Sequence, residues 1–189
     1  MGDKFQLNFD TIRLYPENNT PPPVTKVGIV PFIPHSQPES WRSMVMKPSA
    51  KAKHLGDPGF QIAKGTRRIH INDRWCDMRD EDLRHADDSF FEPLIETALR
   101  EGQEEVGLKA SNVRRLFDMG GFTFTSATKS IQRPLHMFAA EIADSDDFMA
   151  FAASTAETRW VTLQEFRALG REDHIKILEA ILTRLHRAV

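Results

Sequence analysis

Cysteine is nearly absent: Cys76 is the only one in 189 residues. A lone thiol excludes an intramolecular disulfide framework and any metal site built from several cysteines, and it points to a reducing compartment. No apolar run approaches the roughly 20 residues that a membrane-spanning helix needs. The opening MGDKFQLNFDTIR lacks the apolar core of a secretory signal, and Gln6 stands where N-myristoylation expects Ser or Thr. The expectation is therefore a soluble, cytoplasmic protein with no membrane partner. A large excess of either charge is missing too. With 25 Lys+Arg against 27 Asp+Glu the formal net charge is −2, so nothing marks a general nucleic-acid binder.

What the chain does hold is apolar payload: 40% hydrophobic residues, with 13 Phe and three Trp. Its length suits one domain able to bury a sizeable core. The near-neutral balance hides an uneven distribution. From Asp73 to Glu105 there are 12 acids and four arginines, a net of −8, which leaves +6 for the remainder.

Residues 1–24 end in NNTPPPV, a turn and polyproline signal that sets off residues 1–23 as an N-terminal extension. TKVGIVPFI (25–33) reads as a buried strand, with WRSMVMK (41–47) as its partner. FQIAKG (60–65) reads as a short strand. Next, TRRIHIN alternates like a strand, and the acidic MRDEDLRHADD suits a short exposed helix. Further strands are expected at 113–125, 133–142 and 158–161, and two helices near LQEFRAL and DHIKILEAILTRLHR close the chain. Interleaved strands and helices argue one α/β or α+β domain.

The clearest helix is SFFEPLIETALREGQEEVG (89–107), in which Phe91, Ile95, Ala98, Gly102 and Val106 recur on one stripe. Ser89 with Glu92 fits a capping box, Pro93 suits a first turn, and Gly107 suits a C-terminal stop. At about 100° per residue, Glu104 and Glu105 fall roughly 60° and 40° to either side of Glu101. Like charges so placed repel by about 1 kcal/mol per pair in partly solvated surroundings. A divalent cation removes that repulsion, and oxygen-only ligands suit Mg²⁺ or Mn²⁺. The bland alternative is a solvated acidic face with an ordinary Arg100–Glu104 pair.

The fuller pattern favours the cation. Glu92, seven further residues, then Arg-Glu-x-x-Glu-Glu-x-Gly-aliphatic resembles the Nudix box, GX5EX7REUXEEXGU. Glu92, Arg100, Glu101, Glu104, Glu105, Gly107 and Leu108 match it. Two positions depart. Gly102 stands where the family carries an apolar residue, and Ala86 stands where the box opens on glycine. The replacement candidate is Gly65, in a Lys-Gly pair that looks like the usual opening of the box. Gly65 lies 27 positions before Glu92, which implies an insertion at about 66–88.

The resemblance implies a Nudix-type α/β/α sandwich with a mixed sheet over residues 24–189. It implies a metal-dependent hydrolase cleaving a pyrophosphate bond in a nucleoside diphosphate derivative or dinucleoside polyphosphate. Carried over, Glu101, Glu104 and Glu105 ligate Mg²⁺, with Mn²⁺ as the alternative. Arg100 braces them, and Glu92 sits at the helix start. Arg100, Glu104 and Glu105 are then the catalytic group. Glu157, just before TRWV, resembles an acid found in several Nudix subfamilies and is the outside candidate for general base.

Phosphate contacts are sought in the basic stretch from Arg42 to Arg68, which has seven Lys+Arg and one acid, Asp57. Lys64, Gly65, Arg67 and Lys129 are the candidate substrate-binding residues, with Arg68, Ser126 and Thr128 nearby in sequence. Phe60 or Trp75 could stack a base, and His136 could face the cleft, although core packing is the commoner fate of each. A small-molecule nucleotide or polyphosphate is the expected partner, nucleic acid is not, and a homodimer stays open. The rival readings are a Nudix-like module turned to nucleotide sensing or protein binding, and an enzyme acting on an RNA 5′ end.

Overall fold

Several expected strands are apolar almost without interruption, a pattern that suits a sheet covered on both faces. The computed structural model, which describes residues 10–13, 24–48, 59–71, 74–79, 91–125, 132–142 and 157–188, has that arrangement. Its strands are β1 (Asp10–Arg13), β2 (Lys26–Ile33), β3 (Arg42–Lys47), β4 (Ala63–Thr66), β5 (Arg68–Ile71), β6 (Arg74–Asp77), β7 (Val113–Thr125), β8 (Gln132–Ile142) and β9 (Glu157–Val161). The helices are α1 (Leu94–Val106), α2 (Leu163–Leu169) and α3 (Glu172–Ala188). No described helix is long and apolar enough to cross a membrane.

Seven strands form one mixed sheet in the order β1-β7-β8-β2-β3-β9, with β4 also paired to β2. β2 runs parallel to β8 and antiparallel to β3 and β4. Residues 10–13, upstream of the proline stretch, add an edge strand parallel to β7. Alternate residues of β2 enter two separate cores. Val27, Ile29 and Ile33 pack with Ala98, Leu99 and Val106 of α1, while Val30 and Phe32 pack with Phe166 of α2 and Ile177, Leu178, Ile181 and Leu185 of α3. The result is α1 on one face and α2 with α3 on the other, an α/β/α sandwich.

Two expectations about α1 change. The helix begins at Leu94, with Pro93 as N-cap and no side-chain cap, so Glu92 makes no capping box. Its C-terminus is as anticipated: Gly107 adopts φ 71°, a left-handed conformation that glycine enters without a Cβ penalty. Gly102, the departure from the family pattern, sits where a Cβ would come within 2.8 Å of the Ile29 methyl and 3.0 Å of Leu108. Its missing side chain lets α1 lie close on β2.

The inserted stretch contributes a two-stranded hairpin, β5–β6, separate from the main sheet. A small core of Ile69, Met78 and Phe91 sits beneath it. The acidic residues 80–88, where a short helix was anticipated, lie outside the described residues.

Candidate active site

β4 runs beside α1, and the carboxylate edge of the helix meets the strand at Lys64 and Gly65. The Lys64 backbone N–H donates to Glu105 Oε2 at 2.8 Å. At Gly65 a Cβ would stand 1.9 Å from the Glu101 carboxyl carbon, so only glycine admits that carboxylate. Lys26, at the start of β2, donates through Nζ to the Thr66 hydroxyl.

Arg100 organises the opposite side of the edge. Its Nε and Nη2 donate to the two Glu92 oxygens, both at 3.0 Å, in a bidentate fork. Nη2 also donates to the Thr66 carbonyl at 2.8 Å, and Nη1 to Glu101 Oε1 at 2.5 Å and Glu104 Oε2 at 3.4 Å. Glu92 further accepts from the Thr97 hydroxyl and the Arg68 amide. Glu92 thus anchors Arg100 instead of capping the helix. Burial works against its charged form, but the Arg100 hydrogen bonds and charge outweigh that and hold its pKa below the usual carboxylate range.

The metal-candidate carboxylates go the other way. Burial pushes the pKa of Glu105 up to about 7 against the pull of the Lys64 amide and ammonium, and burial also raises that of Glu101. Desolvation likewise lowers the pKa of Lys26 and Lys64, with the neighbouring glutamates opposing. Two acids and two cations are therefore all strained by partial dehydration, an arrangement that a polyanion with a divalent cation would relieve. Among the described residues, no group of three or more His, Cys, Asp or Glu side chains already converges on one point. Glu101 is turned to Arg100 and Glu105 to the Lys64 amide. In kind, the donors fit a hard divalent ion.

Other candidates fall elsewhere. Arg67 is 7% exposed, donates to the Glu92 carbonyl at 2.6 Å and lies 4.8 Å over the Phe91 ring. It clamps the inserted segment to the residues just before α1. Phe60 is core, with Lys47 and Arg159 over its ring at 5.9 and 5.5 Å. His136 is fully buried, its Nε2 2.7 Å from Asp118 Oδ1. Glu157 is exposed, opening β9 opposite Lys47 of β3. Ser126, Thr128 and Lys129 lie outside the described residues. The structure also brings Lys26 and Thr66, not among the sequence candidates, to the carboxylate edge. Thr66 directly follows the Lys-Gly pair, whereas Lys26 reaches it only through the pairing of β2 with β4, which no local pattern announces.

No family sequence model matches the chain, and no curated protein matches it by sequence. Solved structures do. The Nudix domain of NrtR from Shewanella oneidensis, crystallised with ADP ribose, superposes with a TM-score of 0.53 at 16% identity over 91% of this chain and 94% of that one. The chain has the Nudix fold. A Nudix-fold neighbour from C. elegans, an Ap4A hydrolase in a binary complex, aligns with TM-score 0.53 at 12% identity over 87% of this chain and 96% of that one. NrtR in its longer form aligns with TM-score 0.56 at 16% identity, over 87% of this chain. The chain spans 64% of that protein's length. NrtR in its longer form has also been crystallised with a 27mer DNA.

Proposed function

We propose that this protein is a metal-dependent pyrophosphohydrolase acting on a nucleoside diphosphate derivative or a dinucleoside polyphosphate. The observation that carries the reading is the carboxylate edge of α1, with Glu101 seated on Gly65 and Glu105 on the Lys64 amide. Acids dehydrated at such an edge cost stability, and a fold retains them where their charge is used. ADP ribose, bound in one neighbour, and Ap4A, the substrate for which another is named, are of the proposed substrate class.

Glu101, Glu104 and Glu105 would hold Mg²⁺ or Mn²⁺. The ion, when bound, supplies charge neutralisation of the diphosphate and a more acidic water. Lys26 and Lys64 add positive charge next to the same edge. Arg100, gripped by Glu92, fixes Glu101 and holds Glu104 in place. Glu104, whose side chain is 52% exposed, is the edge carboxylate most open to water and substrate. Glu157 remains the outside candidate for general base.

The test is turnover of a panel of nucleoside diphosphate derivatives and dinucleoside polyphosphates with Mg²⁺ and with Mn²⁺. Glu105→Gln is expected to lower kcat by about 10²-fold or more. Near-normal turnover by that variant at saturating Mg²⁺ removes Glu105 from the chemistry. Hydrolysis of none of the panel by the parent protein removes the reading itself.

A further inference from the structure

Trp75 is 53% exposed, whereas Trp41 is 6% exposed and packed in the core. An indole left in solvent on a two-stranded hairpin loses the burial that such a ring ordinarily gains. Its surroundings explain the exposure. In the β5–β6 register Arg68 faces Asp77, and His70 faces Trp75. Side chains alternate across a strand, so these four residues share one face, and Ile69 on the other face packs into the small core with Met78 and Phe91. The His70 and Trp75 rings meet at 5.1 Å and 52°, as directly opposed residues on one face do.

An ion pair fixes where that face looks. Arg68 forms an ion pair with Glu104 at 3.8 Å, on the carboxylate edge of α1. Asp77 acts electrostatically on Lys26, which also feels Glu101 and Glu105. The Arg68–Asp77 pair therefore stands beside the candidate metal edge through Arg68. Trp75 and His70 stand one pair further along the hairpin, about 7 Å beyond. A nucleotide with its diphosphate at Lys26, Lys64 and the acidic edge would carry its base over that distance.

We propose that the β5–β6 hairpin is the base-binding wall of the site, on which Trp75, steadied by His70, stacks the planar base of a nucleoside diphosphate. This rests on the reading of the acidic edge as the pyrophosphate site, and it assigns the inserted segment to substrate selection. Base–aromatic stacking tolerates any base, so the wall selects for an aromatic moiety and not for one nucleobase. A single ring pair beside charged Arg68 and Asp77 matches a flat heterocycle better than a protein surface, whose interface core is broader and apolar.

The experiment is calorimetric binding of ADP, GDP, UDP and CDP, with inorganic pyrophosphate as the baseless control and Ca²⁺ as the divalent ion. Trp75→Ala is expected to weaken binding of the nucleoside diphosphates by about tenfold, leaving pyrophosphate unchanged. Trp75→Phe should bind within about threefold of the parent protein, because a phenyl ring still stacks. Equal loss of pyrophosphate and nucleotide affinity, unchanged nucleotide affinity in Trp75→Ala, or no nucleotide binding by the parent protein overturns the proposal. Because the readout is binding, Trp75-dependent affinity without turnover refutes the hydrolase reading and leaves the wall standing. Turnover with unaltered affinity in Trp75→Ala does the reverse.

Discussion

Gly65 carries its meaning in what it lacks. Any Cβ there would overlap the Glu101 carboxyl group, at 1.9 Å from its carbon and from one oxygen. The carboxylate is tied to Arg100 at 2.5 Å, and Arg100 is tied in turn to Glu92 and the Thr66 carbonyl, so Glu101 cannot move aside without breaking that network. Gly65→Ala is therefore expected to displace Glu101 and lower turnover by about 10²-fold, the scale of losing one preorganised electrostatic group. Global stability should fall by only about 1–2 kcal/mol, since the strain stays local. Steady-state kinetics beside denaturant unfolding checks the split, and an alanine variant with normal kcat would show that Glu101 has no fixed position to lose. This pairing was legible in outline. The Lys-Gly dipeptide and the box glutamates pointed at each other across 27 residues of sequence to Glu92. The reason for the glycine was not legible, because a steric exclusion by a carboxylate leaves no composition signal.

At the scale of elements, periodicity gave the strands well and the helix start poorly. β7 covers Val113–Thr125 and β8 Gln132–Ile142, close to the anticipated 113–125 and 133–142. The α1 start was misplaced because Ser89 and Glu92 satisfy a local capping pattern, yet a bidentate ion pair with Arg100, eight residues on, competes for the same carboxylate and wins. Trp75 was a candidate for base stacking in the sequence, but the placement of its hairpin beside α1 was not legible, because the contact that shows it, Arg68 to Glu104, is long-range. Gly102 is an element-scale residue of the same kind. Alanine there gains about 1 kcal/mol of helix propensity, but its Cβ would meet the stiff, β-branched Ile29 at 2.8 Å. Overpacking of this sort costs about 1–3 kcal/mol. Gly102→Ala is expected to be net destabilising by about 1 kcal/mol in urea unfolding, and a more stable variant would mean that α1 rides further from β2 than this packing implies.

Across the whole molecule, half-buried Glu105 and buried His174, on opposite faces of the sheet, set opposing pH slopes. Glu105 lies on the α1 face with its pKa raised to about 7 from 4.5, chiefly by burial. The folded state thus holds that proton more tightly, and the associated stability is complete below about pH 4.5 and lost as pH rises through 7. His174, on α3, is fully buried and accepts from the Ile62 amide at Nδ1, 3.0 Å away. Burial first, then the charges of Lys64 and Arg171, lower its pKa from 6.5 to about 3. Its contribution has the other sign: present above pH 6.5, lost as pH falls toward 3. Between about pH 4.5 and 6.5 the two slopes, each about 1.4 kcal/mol per pH unit, oppose one another, so these two contributions nearly cancel in the metal-free protein. His174→Asn keeps an acceptor for the Ile62 amide and removes the titration. Whatever the variant loses at pH 7 from imperfect packing, its stability should then rise by about 2 kcal/mol or more on going from pH 6.5 to pH 5, because His174 no longer opposes the Glu105 slope and the raised pKa of Glu101 acts in the same direction. Urea unfolding at the two pH values reads this directly. A variant whose stability changes with pH just as the parent's does would show that His174 is not held neutral by the fold.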